Sequence, residues 1–437
     1  MSDLVTLDDA VLADLDVAVE AGRTARTELL AELVRHDSTL GNEAGVQARM
    51  ADAFEDAGLA VDAWTIDYAA LKHLPGYSPV DWDAGDRPNV VGVHHVDHPA
   101  GRSLILNGHV DVVPAGPHEA WTHPPYRPTI EDGRMVGRGA GDMKSGVAAF
   151  LHAFLAIRRA GFEPASELIL QSVIEEECTG NGALATVQRG YTADAAVIPE
   201  PFDHTLLTAQ LGVLWLRVTV QGKPTHVLEA TAGVDAIRAA WRLTEELRRI
   251  EAEMNAPEVR HPAYADAVHP INVNVGRIQG GEWPSSVAAS CRFEARVGFF
   301  PGDTTAAELS ARIEARLRAF AAQDDALAAS PPRIEWVGFQ AEPYEIGRDE
   351  GPLPALAQAH AAVLGGSPAS LASTATTDAR ILGRAGGIPT TCYGPRANAI
   401  HGIDEWVDLD SVHDVTRVLT RFIASWCGLR RAPERRA

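Results

Sequence analysis

Five places in the sequence end an apolar run with residues able to hold a metal ion. His109 follows "SLILNG", with Asp111 two residues on; Asp142 follows "RMVGRGAG". Glu175, Glu176 and Glu177 follow "LILQSVI", Glu200 follows "DAAVIP", and His401 follows "IPTTCYGPRANAI". One polar residue at a strand end means little. Five such places in one chain suggest a ligand cluster, because open α/β sheets bind ligands beyond the carboxyl ends of their strands. Two imidazoles and three carboxylates suit zinc, which takes nitrogen and oxygen donors at about 2.0–2.2 Å. That donor count is too large for one catalytic ion and right for two that share a bridging carboxylate. Such a pair lowers the pKa of a water between the ions and polarises a carbonyl. In a strand His109 and Asp111 face the same side, so Asp111 is placed to take the second ring N–H of a metal-bound imidazole.

The elements that must position these residues read as an α/β fold. "TARTELLAELVRHDS" sets Leu29, Leu30, Leu33 and Val34 on one helical face. "NEAGVQARMADAFEDAG" does the same with Val46, Met50, Ala53 and Phe54 and closes at Gly58. "MKSGVAAFLHAFLAIRRAG" carries a stripe of Val147, Phe150, Leu151, Phe154 and Leu155. Between the helices the apolar runs are unbroken, as expected for strands covered on both faces of a mostly parallel sheet. Near Gly212 the rhythm changes. "GVLWLRVTVQG" alternates, which suits a strand with one wet face. A helix with Ile237, Ala240, Trp241 and Leu247 on one side follows it. Next come a hairpin from "INVNVGRI" and "VAASCRFEARVGF", a helix opened by a Thr305–Glu308 capping box, and the strand "RIEWVGF". That β-α-β-β-α-β order is ferredoxin-like. The expected organisation is an α/β domain formed by residues 1–211 and 344–437, with a smaller α+β domain, 212–343, inserted in it.

Composition narrows the function classes. The 437 residues carry a net charge of −21, which argues against nucleic acid or an anionic membrane as partner. No apolar run is long enough to cross a bilayer. Cys178, Cys291, Cys392 and Cys427 are scattered, so a reduced cytoplasmic chain without a disulfide framework is expected. The acidic start "MSDLVTLDDAVLADLD" lacks the basic region of a secretory signal, and the basic end "LRRAPERRA" reads as a frayed tail.

"NGHVDVVPAG", "GRGAGDMKSG", "EEECTGNGA" and "NAIHGIDE" together resemble the signatures of a family of dinuclear zinc amidohydrolases. That family comprises aminoacylases, acetylornithine deacetylases, succinyl-diaminopimelate desuccinylases and glutamate carboxypeptidases (peptidase family M20-like). The resemblance runs from about Leu29 to the last helix near Arg421 and implies the same inserted-domain architecture, the insert serving as lid and dimerisation domain. It implies that His109 and Glu200 bind one metal, that Glu177 and His401 bind the other, and that Asp142 bridges them. It marks Asp142–Met143 as a cis peptide and Glu176 as the base that moves a proton from water to the leaving amine. Glu175 stands where the family has aspartate and is read as a supporting residue. His226 in "GKPTHVLEATAGVDAI" matches a histidine that reaches a partner's active site to steady the oxyanion, although Val227 and Leu228 replace the usual small residues after it. Asn274 matches an asparagine near the substrate, and Arg380 an arginine that binds a substrate carboxylate.

The expected activity is metal-dependent hydrolysis of the amide bond of a small N-acyl amino acid or related N-acyl amine, by a homodimer holding two divalent ions per subunit. Zinc is favoured, with cobalt or manganese open. A dipeptidase or glutamate carboxypeptidase is the alternative, and a silent binding protein a third. A register slip of one residue among the three glutamates would exchange their roles.

Overall fold

The computed structural model describes residues 4–83, 85–302 and 304–432. A six-stranded sheet runs in the order Ala60–Thr65, Pro88–His94, Leu168–Val173, Leu104–His109, Ala196–Ile198, Thr390–Cys392. The last four strands pair in parallel. The first two are antiparallel to their neighbours. The inner strands Leu104–His109, Leu168–Val173 and Ala196–Ile198 are buried at every residue. This is why their sequences read as continuous apolar runs.

The helix Ser145–Arg159 lies behind the sheet, packed by Leu409–Cys427, Asp9–Ala21 and Arg23–Val34. It was expected to show one apolar stripe, yet it is buried around almost its whole circumference, with Leu155 only half-buried. Neighbours on several sides remove the need for a polar face. Its start depends on close approach: a Cβ on Gly146 would stand 2.2 Å from the Pro199 carbonyl oxygen, beside Glu200. Gly182 does the same service after the glutamates, where a Cβ would meet the Ile174 carbonyl at 1.9 Å. Only glycine lets these helices press against the loops that carry the carboxylates.

The inserted unit has its own apolar core. Its four strands, in the order Val273–Gly280, Ser290–Phe299, Gly212–Gln221, Arg333–Ala341, all pair antiparallel. Two long helices, Ala236–Met254 and Ala306–Ala322, pack against this sheet. The second opens on the expected capping box: Thr305 Oγ1 accepts the Glu308 N–H at 3.2 Å and Glu308 accepts the Thr305 N–H at 2.9 Å. Segment 78–81 clasps this four-stranded sheet. Gln340 N–H donates to Ser78 Oγ at 3.1 Å, Gly338 N–H to the Pro79 carbonyl at 2.8 Å, and Arg217 to Asp81.

Three expectations need correction, and one helix was not foreseen. Ile237 and Trp241 do not share the buried face of their helix; they are 43% and 59% exposed, while Ala236, Ala240, Leu243 and Leu247 face the core. The run before Asp142 is not a strand of the main sheet. Its residues Arg134–Val136 belong to a small antiparallel sheet with Thr129–Glu131, Ala397–Asn398 and Trp406–Asp408. The acidic leader contains a helix, Asp9–Ala21, capped by Asp8 and buried through Val11, Leu15, Ala18 and Val19. The basic tail begins as a strand, Leu429–Arg431, paired with Phe162–Pro164; residues 433–437 lie outside the described residues.

Candidate metal centre

Backbone geometry brings three strand ends and two turns to the same edge. His109 is the last residue of Leu104–His109. The glutamates follow Leu168–Val173, Glu200 follows Ala196–Ile198, and His401 sits in the left-handed region (φ 62°) between Asn398 and Trp406. Asp142 lies in the turn Ala140–Lys144 that feeds the buried helix, and its peptide bond to Met143 is cis.

The side chains converge. Asp142 stands between the two imidazoles, with Oδ1 3.2 Å from His109 Nε2 and Oδ2 3.4 Å from His401 Nε2. His401 Nε2 is also 3.1 Å from Glu177. His109 Nε2 is 3.8 Å from Glu176 and 3.9 Å from Glu200. Ligand atoms of His109, Glu176 and Glu200 lie within 4.8 Å of one another, as do those of His109, Asp142 and Glu177.

This set fits divalent cations. Burial pushes the Glu176 and Glu200 carboxyls well above their ordinary range, and neighbouring carboxylates add to it. Burial also raises Glu177, against the pull of His401. For Asp142 burial acts upward, but the bonds to His109 and His401 outweigh it and hold the carboxyl low. Glu176 Oε1 is buried and has no hydrogen-bond partner. Buried carboxylates of like charge need a counter-charge, and the imidazole–carboxylate donor set is one that zinc, cobalt or manganese accepts.

Neighbouring groups aim the donors. His109 Nδ1–H donates to the Asp111 backbone carbonyl at 2.9 Å, while the Asp111 carboxylate is 3.6 Å away. The carbonyl thus fixes the tautomer that leaves Nε2 free. The Asp111 carboxylate instead accepts the backbone N–H of Glu176 at 3.3 Å and of Glu177 at 3.1 Å.

The remaining expected residues fall in different places. Arg380 is buried; it donates to the Thr377 carbonyl at 2.7 Å and to the Thr179 carbonyl at 3.0 Å, leaving Nε unpartnered. His226 is exposed on the inserted unit, where Nδ1 accepts the Leu228 N–H at 3.2 Å. Asn274 is exposed on the edge strand, opposite Arg296. Neither belongs to the ligand groupings above. Cys178 is buried, and burial pushes its thiol well up, which suits a passive neighbour.

Sequence reasoning overlooked Glu405. It gathers the N–H groups of Gly139, Gly141 and Asp142 at 3.0, 2.9 and 3.0 Å and pairs with Arg138 at 2.5 Å. Arg138 also donates to the Gly402 carbonyl at 2.9 Å, beside His401. Glu405 therefore ties the Asp142 turn to the His401 loop. The signal was present in "HGIDE", four residues past the histidine. Asp378, whose buried oxygens are both unpartnered, was also overlooked.

The family model described as peptidase family M20/M25/M40 matches residues 105–425. The N-formyl-4-amino-5-aminomethyl-2-methylpyrimidine deformylase of Bacillus subtilis (strain 168) is 30% identical over 408 residues, covering 88% of this chain and 90% of that protein. The succinyl-diaminopimelate desuccinylase of Alkalilimnicola ehrlichii (strain ATCC BAA-1101 / DSM 17681 / MLHE-1) is 28% identical over 400 residues, with 88% and 95% covered. Among solved structures, the dipeptidase Dug1p of Saccharomyces cerevisiae aligns with a TM-score of 0.77 at 14% identity, covering 97% of this chain and 99% of that one, a likeness of fold alone. The family expected from the four motifs is thus the family found, and the chain belongs to peptidase family M20/M25/M40 as an amide-bond hydrolase.

Proposed function

We propose that the protein removes a short acyl group, formyl or acetyl in size, from a small N-acyl amine, using two divalent cations held by His109, Asp142, Glu177, Glu200 and His401. Supporting the reaction type is Glu176, a buried carboxyl with an unpartnered oxygen beside His109 and Glu200. Supporting the substrate class is the similarity to a deformylase across 88% of the chain. When bound, the cations supply an activated water and a polarised amide carbonyl. Glu176 takes the proton of the attacking water and delivers it to the departing nitrogen. Its raised proton affinity suits both halves of that transfer. Asp111 holds the Glu176 and Glu177 backbone so that their side chains reach the centre. Arg380, buried near Asp378 and Glu176, is the residue proposed to bind a substrate carboxylate.

The larger domain, formed by residues 1–211 and 344–437, is the catalytic body, and 212–343 is the lid. We also place a homodimer interface on the lid, where the outer edge of Val273–Gly280 is open. Ile278 is 54% exposed there, and Ile237 and Trp241 add apolar area to the lid surface. Large exposed apolar side chains beside an open strand edge call for a partner. In such a dimer His226 serves the partner's site, while Asn274 is proposed to stand near the substrate.

The test is hydrolysis by the metal-loaded protein of matched N-formyl, N-acetyl and N-succinyl amines, with and without a carboxylate, and of dipeptides. Turnover of the N-formyl or N-acetyl amines at least tenfold above dipeptides is expected. Preference for dipeptides would replace this reading with a peptidase.

A further inference from the structure

We infer that Glu175 is a positioning residue: its carboxylate anchors the turn that presents Glu176 and Glu177, acting against the hold of Asp111 on the backbone of those same two residues. The inference rests on the roles proposed for Glu176 and Glu177, but it concerns the residue before them.

Glu175 lies in the left-handed region, with φ 65°, although it is not glycine. A long side chain is disfavoured there unless the surroundings hold it, and such residues gather at functional sites. The chain curls round this residue. Its carbonyl accepts the N–H groups of Thr179 at 3.0 Å and Gly180 at 2.8 Å. Its carboxylate is buried and saturated with donors. Oε1 accepts from Arg87 Nη2 at 2.7 Å, from Trp82 Nε1 at 3.1 Å and from the Tyr68 hydroxyl. Oε2 accepts from the Thr179 hydroxyl at 2.9 Å. Arg87 is itself held from the other side, donating through Nη1 to Glu43 at 2.7 Å. Glu43 in turn accepts the Gly41 N–H at 2.9 Å.

Three adjacent glutamates therefore do not share one field. Glu175 is drawn into the segment that carries Tyr68, Trp82 and Arg87. The N–H groups of Glu176 and Glu177 are drawn to Asp111. Two anchors, one on the Glu175 side chain and one on the backbone of the next two residues, fix the rotation of the turn, and that rotation decides which glutamate faces the imidazoles. A buried ion pair kept only for stability would not need a strained backbone one residue from the centre.

Glycine relaxes the left-handed backbone but removes the carboxylate, so Glu175→Gly separates strain from anchoring. The expected result is a folded chain that still binds two zinc ions, with KM within threefold of the parent and kcat down about 10–100-fold, as for other residues that aim metal ligands. Glu175→Gln keeps the length and part of the acceptor set and is expected to recover part of that loss. Amide exchange at Glu176 and Glu177 in the metal-free chain is expected to quicken more than tenfold in Glu175→Gly. A kcat within twofold of the parent would overturn the inference. So would equal losses in the Gly and Gln variants together with lost metal and a lowered melting temperature, the mark of a merely structural role. The exchange measurement stands even if the parent hydrolyses none of the proposed substrates, and unchanged protection there would overturn the inference by itself.

Discussion

His401 Nε2 lies 3.1 Å from both carboxylate oxygens of Glu177. Chiefly because of that carboxylate, the proton affinity of His401 in the metal-free chain is raised to about 11. The imidazole is thus protonated at neutral pH. The contribution of this pairing to the stability of the metal-free fold is full below the ordinary histidine value and is lost as pH climbs through about 11.

A cation needs His401 neutral, so loading must expel its proton, and the well-raised Glu176 and Glu200 add to the release. Zinc or cobalt uptake at pH 7 is expected to release more than one proton per chain, with apparent affinity rising from pH 6 to pH 8. Calorimetric titration in buffers of different ionisation heat measures this. A binding heat that does not change with buffer would sink the idea.

Glu176→Gln keeps the shape of the side chain and removes the proton carrier. A general base contributes about 10²–10⁴-fold to rate, so kcat should fall by at least a hundredfold with bound metal unchanged. Removing a raised, buried carboxyl should also stabilise the metal-free fold at pH 8, where its ionisation is costly, and change it less at pH 5. Kinetics with metal analysis and thermal melts at the two pH values give the answer. Activity within tenfold of the parent would move the base to another residue.

The candidate ligand residues could be picked out because each couples a chemical type to a place, the end of an apolar run. Asp111 and Glu175 were picked out as supporting residues too, but the contacts they make and the role of Glu405 were not, because those partners lie far off in sequence. Arg138 meets Glu405 across 267 positions and Arg87 meets Glu175 across 88. Alternation along an extended backbone would send adjacent glutamates in different directions, but Glu175 is left-handed, so the turn and not the strand separates them. The helix Asp9–Ala21 was masked by its acidity, although Val11, Leu15, Ala18 and Val19 carry a helical spacing. Trp241 misled in the opposite sense: it stands at helical spacing with buried residues yet is 59% exposed.

Glu405→Ala would leave the N–H groups of Gly139, Gly141 and Asp142 without their acceptor and Arg138 without its partner. The turn carrying Asp142 would loosen, and Arg138 would be left as an uncompensated buried charge. Such a loss costs about 3–5 kcal/mol. Expected results are a lower melting temperature and metal affinity weakened about 10–100-fold. Glu405→Gln, which keeps part of the acceptor set, should fall between. Competition with a chelator of known affinity measures this, and unchanged affinity in the Ala variant would show that Glu405 supports the fold alone.

The lid edge makes the last prediction. Ile278 on the open strand and Trp241 on the helix Ala236–Met254 are large apolar side chains that the chain leaves exposed. Ile278→Glu with Trp241→Glu places two charges on the proposed interface, where like charges of two copies would face each other. The variant is expected to be monomeric by light scattering and to keep its thermal stability within about 1 kcal/mol, as for other exposed sites. Since the catalytic residues are untouched, bound metal should stay at two ions per chain. If His226 serves the neighbouring subunit, kcat should nevertheless fall about 10²–10³-fold, the usual effect of losing an oxyanion donor, and His226→Ala in the parent should fall by a similar factor. A monomer with full activity would show that each chain completes its own site, and a variant that remains dimeric would place the interface elsewhere.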